Sequence, residues 1–154
     1  MTKFIATGEL GRLAKWLRIL GFDTALVAPR QDGSERREIV LRSLREERVI
    51  LTRSSRMSLY AGTRLVQVKS DFVEDQVAQV LKELGLGVDT ALLFSRCVVC
   101  NEPLAEVPKD SVRGDVTPYI FETQERFKRC GACGRIFWQG THWALVQKFL
   151  QKIR

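Results

Sequence analysis

Four cysteines carry the plainest chemistry in this chain. Cys97 and Cys100 form one C-x-x-C pair, C-V-V-C, and Cys130 and Cys133 form a second, C-G-A-C. Two such pairs in a reducing compartment point to zinc before disulfide. Zinc favours four thiolates in a tetrahedron, and each C-x-x-C knuckle delivers two from one tight turn. Asn101 and Gly134 follow the pairs, and both residue types tolerate the positive φ that aims backbone N–H groups at the sulfurs. Four thiolates leave no position for water or substrate, so the expected zinc is structural. A redox role is the competing reading, although redox pairs open a helix after a strand and neither pair here does so. Isolated buried cysteines are the other.

The elements that must position these thiols form a small ribbon. The 29 residues between the pairs carry turn signals at Pro103, Pro108, Gly114 and Pro118, and an extended stretch is expected over Val116 to Phe121. This predicts a zinc ribbon with a long inserted loop. Arg126, Lys128, Arg129 and Arg135 flank the second knuckle, and Phe127, Phe137, Trp138 and Trp143 interleave with them. Such a mixture suits base stacking beside phosphate contacts, but the aromatics also suffice as a ribbon core.

Upstream, apolar strands alternate with amphipathic helices. Lys3–Ala6 reads as a strand. Glu9 to Leu20 reads as a helix with Leu10, Leu13, Ala14, Leu17 and Leu20 on one face and Gly21 as its stop. Strands follow at 24–28, 49–52 and 65–68, with a helix over 35–46 after the turn Gln31-Asp32-Gly33-Ser34 and a short helix capped by Ser54 or Ser55. Asp71 stands three residues before Glu74, a capping-box-like start for a helix over 73–84. The alternation predicts an α/β domain with a mainly parallel sheet over residues 1–93, and a ribbon with a C-terminal tail helix over 94–154. Sites in such sheets lie at the carboxyl ends of the strands. Those ends carry Thr7 and Glu9, then Asp32, then Arg53 and Ser54, then Lys69, Ser70 and Asp71. Asp23 begins its strand and is expected on the opposite edge.

The bulk properties narrow the function classes. The chain has 154 residues, 45% of them hydrophobic, which excludes wholesale disorder. No apolar run approaches the roughly 20 residues that span a bilayer, and no signal peptide is visible, so a cytoplasmic location is expected. Net charge is +7, with 15 basic against 12 acidic residues over 1–93 and 10 against 6 over 94–154. An excess of this kind favours polyanions, RNA above all in this reading.

The stretch F-I-A-T-G-E-L-G-R-L-A-K-W-L-R-I-L-G-F-D-T at 4–24 and V-I-L-T-R at 49–53 resemble the Mut-seven C-terminal RNase domain family, PIN-like nuclease domains with a C-terminal zinc ribbon. F-S-R-C-V-V-C-N-E-P-L at 94–104, R-G-D-V-T-P-Y at 113–119 and G-T-H-W at 140–143 agree. The resemblance implies metal-dependent hydrolysis in which clustered carboxylates hold Mg²⁺ or Mn²⁺. The family pattern has aspartates where this chain has Thr7 and Ser54. Asp71, Asp32 and Glu9 are the candidate catalytic carboxylates that remain, with Glu35 and Asp75 behind them. Each also has a structural reading, as an N-cap, a turn residue or a helix-dipole partner. Arg12, Lys15 and Arg18 on one helix side, with Arg53, Arg56 and Lys69 near the strand ends and Lys128, Arg129 and Arg135 on the ribbon, are the candidate nucleic-acid contacts. His142, the one histidine, is not expected as a ligand because four cysteines already satisfy the zinc. These readings predict an RNA-binding protein with a degenerate nuclease site. The alternatives are an active ribonuclease with rearranged carboxylates and a ribbon that docks a protein partner.

Overall fold

The computed structural model describes residues 1–59, 62–140 and 142–153. Strands β1 (Lys3–Thr7), β2 (Thr24–Val27), β3 (Arg48–Thr52) and β4 (Leu65–Gln67) form one parallel sheet in the order β2-β1-β3-β4. Helices α1 (Gly11–Ile19), α2 (Glu35–Glu46) and α3 (Val73–Leu84) connect or follow them. The central strands are covered on both faces, which is why F-I-A and V-I-L run apolar without polar alternation. Phe4, Ala6, Val49 and Leu51 face α1 and α3, whereas Ile5 and Ile50 face the layer holding Ile39 and Val40 of α2. β1 pairs with β2 on one side and β3 on the other. The chain direction across the sheet therefore reverses beside β1, and sheets of this kind place their crevice at such a point, here the ends of β1 and β3.

Local sequence explains the boundaries. The segment expected as one helix from Glu9 begins as a 3-10 turn, Gly8–Leu10, and becomes α1 at Gly11. It ends where Gly21, at φ +96°, donates to Arg18 O (3.0 Å) while Phe22 donates to Leu17 O (2.9 Å). That is a Schellman stop. A Cβ on Gly21 would lie 2.6 Å from Leu92, so glycine is required twice over.

The second unit is a three-stranded antiparallel sheet, β5 (Leu104–Val107), β6 (Phe127–Cys130) and β7 (Ile136–Phe137), in that order. The stretch expected as extended is instead helix α4 (Pro118–Thr123). The Thr117 hydroxyl accepts from the Ile120 N–H (3.3 Å) and Pro118 takes the first turn, where its missing N–H costs nothing. Helix α5 (His142–Ile153), grouped with the ribbon by sequence, returns to the α/β core. Val146, Phe149 and Leu150 are buried in the same cluster as α1 and α3, and Phe149 stacks on Trp16 at 3.8 Å.

A polar junction fastens the first knuckle to the sheet's amino edge. Arg18 Nη1 donates to Val98 O (2.8 Å) and Val99 O (3.2 Å), and its Nε donates to Thr24 O (2.9 Å). Asn101 accepts from the Thr24 N–H (2.9 Å) and donates to Asp23 (2.6 Å). Asp23 in turn receives Arg48 at 2.8 Å. Burial opposes the charge on Asp23, but the hydrogen bonds from Arg48 and Asn101 prevail and hold its carboxyl below the usual range. Asp23 thus lies at the start of β2, on the edge away from the crevice.

Candidate metal centre and nucleic-acid interface

The two knuckles are built alike. Asn101, at φ +68°, donates its N–H to Cys97 O, and Gly134, at φ +75°, donates to Cys130 O, both at 2.9 Å. Cys97 also accepts at sulfur from the Cys100 N–H (3.3 Å). The four Sγ atoms all lie within 4.8 Å of one another, with Cys97 and Cys130 buried and Cys100 and Cys133 half-buried. This arrangement can hold one metal ion, and its soft thiolate set suits Zn²⁺. The backbone N–H and guanidinium of Arg135 hold the Cys133 thiol down to about 6. The hydrogen bond to Cys133 and burial push Cys100 up to about 12. Arg135 thus favours the charged form of Cys133, one of the four sulfurs placed to ligate as thiolates.

At the carboxyl edge the sequence candidates do not converge. Thr7 donates its hydroxyl to Glu9 at 2.6 Å, so the Glu9 carboxylate lies beside the end of β1. Asp71 is 84% exposed and paired with Arg53 at 2.7 Å. Arg53 also donates to Ser70 O (3.1 Å) and Lys69 O (3.4 Å). Asp71 is not the helix cap: Phe72 holds that position and α3 starts at Val73. Ser70 organises that turn, accepting from the Phe72 N–H and donating to Asp75, both at 3.1 Å. Asp32 accepts from the Ser34 N–H (3.0 Å), the backbone bond that lowers its pKa, and Glu35 accepts from the Arg30 N–H (3.1 Å). Each acid is engaged locally. Among the described residues no three carboxylates approach one another as the four thiols do. Mg²⁺ and Mn²⁺ want several convergent oxygens and compensating negative charge, and no such group of three stands at this edge among the described residues.

The chain matches the family model for the Mut7-C RNAse domain over residues 2–150. It belongs to the Mut7-C RNAse domain family. Searches of curated proteins and of solved structures each give no match. Within this Mut7-C fold, Thr7 stands at the end of β1 and Ser54 just beyond β3. Ser54 accepts from the Arg56 N–H (3.2 Å) and serves the start of the 3-10 turn Ser55–Leu59.

The basic candidates divide. Arg12 and Lys15 are exposed on α1, and Arg53, Arg56 and Lys69 are exposed near the strand ends. Arg18 is a correction: only 7% exposed, it is turned inward to the knuckle carbonyls and cannot meet a phosphate. Its position four residues after Ala14 places it beside the apolar stripe, the signal that would have shown this. On the ribbon, Lys128 donates to Phe94 O (3.2 Å) and Arg129 pairs with Asp115 (3.1 Å), while Arg135 is exposed beside Cys133. His142 is exposed at the start of α5, and neighbouring Trp143 lies against Phe94 at 6.0 Å. Among the described residues no helix is long and apolar enough to cross a membrane.

Proposed function

We propose that this Mut7-C protein binds RNA without cutting it, using a PIN-like α/β unit over residues 1–93 and a zinc ribbon over 94–154. The observation that carries the reading is the state of the carboxyl edge. Hydroxyls stand at Thr7 and Ser54, and Asp71 is paired with Arg53. An edge so arranged repels a divalent cation and attracts phosphate. Arg12, Lys15, Arg53, Arg56 and Lys69 supply the sequence-independent backbone contacts, with Arg135 adding to them from the ribbon. Zinc is structural in this reading, and a cytoplasmic location follows from its need for reduced thiols.

One contact favours a second reading. Glu9 reaches the Thr7 hydroxyl, so its carboxylate stands where the family's first aspartate would offer one. An active ribonuclease would then use Glu9 and Asp71 with added Mg²⁺ or Mn²⁺.

Cleavage and binding of labelled single-stranded and structured RNA, measured together on zinc-loaded protein, separate the readings. Binding that weakens steeply with salt, and no cutting with Mn²⁺, Mg²⁺ or EDTA, is the expected result. Metal-dependent cutting that is lost in Glu9→Gln and Asp71→Asn would establish the nuclease instead. Neither binding nor cutting would leave the ribbon as a protein-docking module.

A further inference from the structure

We propose that a cavity in the ribbon seats one unpaired nucleotide, with its base against Trp138 and its phosphate toward Arg135. This rests on the RNA reading above and names what the ribbon takes from the strand. The cavity measures about 550 Å³ and lies between the segment carrying Asp115, Thr117 and Ile120 and the strands carrying Arg129, Arg135 and Ile136. Small-ligand sites commonly span about 300–1,000 Å³. The hollow is open to solvent and has room for a single base.

Its lining has the two parts that unpaired nucleotides require. Trp138 provides an aromatic plane, flanked by the aliphatic side chains of Ile120 and Ile136. The indole is held in place: Phe127, itself buried, meets it edge-on at 6.4 Å, and the bare backbone of Gly140 packs so close that a Cβ there would lie 3.1 Å from the ring. A preset ring loses little freedom on stacking. Arg129 ties the opposite wall, donating to both Gly134 O and Asp115 at 3.1 Å. Arg135 is an exposed cation lining the cavity, and its guanidinium, which bonds the Cys133 sulfur, has further N–H donors with which to meet a phosphate linked to a stacked base. An acidic peptide fits less well. It needs a row of cations, and of the two that line the cavity Arg129 is already paired with Asp115.

The test uses the zinc-loaded full chain. A labelled single-stranded hexanucleotide, the same strand with abasic positions and an RNA duplex are titrated by anisotropy. The Trp138 indole resonance is followed by NMR with adenosine monophosphate, uridine monophosphate and ribose 5-phosphate. Trp138→Leu should weaken single-strand binding by about tenfold and leave duplex binding unchanged, with Trp138→Phe recovering most of the loss. Ile120→Glu, which alters the cavity from α4, should reproduce the defect; retained zinc and melting temperature show that both variants fold. Nucleoside monophosphates should move the indole signal and ribose 5-phosphate should not. A mononucleotide that binds as tightly as the strand supports the seat and identifies free nucleotide as its source. An indole signal unmoved by either monophosphate overturns the assignment whether or not RNA binds. So do folded variants with parental affinity, or an abasic strand that binds equally. Salt-sensitive RNA binding that survives those results leaves the RNA reading standing, whereas loss of all RNA binding in the parent removes that reading alone.

Discussion

Replacing Arg18 by methionine removes three hydrogen bonds from one buried cation while keeping most of its volume. Two are short, to Thr24 O (2.9 Å) and Val98 O (2.8 Å), and one is longer, to Val99 O (3.2 Å). Hydrogen bonds to a charged group contribute about 1.5–3 kcal/mol each. Burial of the guanidinium, which lowers its pKa, offsets part of that gain. Crediting two strong bonds at the low end gives a net loss of about 3 kcal/mol for Arg18→Met. In a domain of this size that corresponds to a fall of about 6–12 °C in Tm. Two of the three acceptors belong to the first knuckle, so the loss should depend on Asn101, which fastens the same turn to Thr24 and Asp23. Asn101→Gly keeps the positive φ and removes only the side-chain bonds. Urea unfolding of the parent, both single variants and the double variant would give the coupling, expected at about 1 kcal/mol. An Arg18→Met loss below about 0.5 kcal/mol, or strict additivity with Asn101→Gly, would refute the claim that these residues jointly hold the ribbon to the sheet.

Three further outcomes are expected. Glu46 is held at about 2 by its hydrogen bonds to Arg42 and Arg48, so its contribution is complete above its ordinary value near 4.5 and is lost as pH falls toward 2. The Tm difference between the parent and Glu46→Gln should therefore shrink over that window, and a constant difference would contradict the assignment. Zinc takes thiolates, and burial and the hydrogen bond to Cys133 favour the neutral thiol of Cys100, so zinc uptake should release protons and tighten as pH rises. Calorimetry in buffers of different ionisation enthalpy measures that release. Phe149→Ala should cost about 3–5 kcal/mol by denaturant unfolding, because Phe149 is buried in the α/β core and stacked on Trp16; a surface tail helix would lose almost nothing.

What was legible in the sequence followed from short-range rules. The parallel sheet was readable from strand–helix alternation, and the metal centre from two C-x-x-C spacings with Asn101 and Gly134 behind them. Long-range partners were less legible. Residues 116–121 looked extended because Val116 and Phe121 bracket an apolar stretch, yet the Thr117–Pro118 cap decided for a helix. Arg18 looked like a surface cation because its acceptors lie 80 and 81 residues away, on the knuckle. The carboxyl-edge acids were readable as positions but only in part as partners: Glu9 is two residues from the Thr7 it accepts from, whereas nothing local says that Asp71 turns to Arg53. The nucleotide cavity was invisible for the same reason, since its walls come from segments brought together only by the ribbon fold.

The return of α5 to the sheet also orders events during synthesis. Residues 142–153 emerge after all four cysteines, so the metal site is complete in the nascent chain before Val146, Phe149 and Leu150 can close the core. Chains grow from the amino end at about 5–20 residues per second, leaving a brief interval in which the ribbon can load while Trp16 is still uncovered. A ribbon that fails to load in that interval presents the final helix with a misplaced tether rather than a docking partner. The unfilled surface on α1 and α3 then stays exposed, where chaperones and proteases recognise it. The cysteines thus precede in synthesis the helix that closes the core.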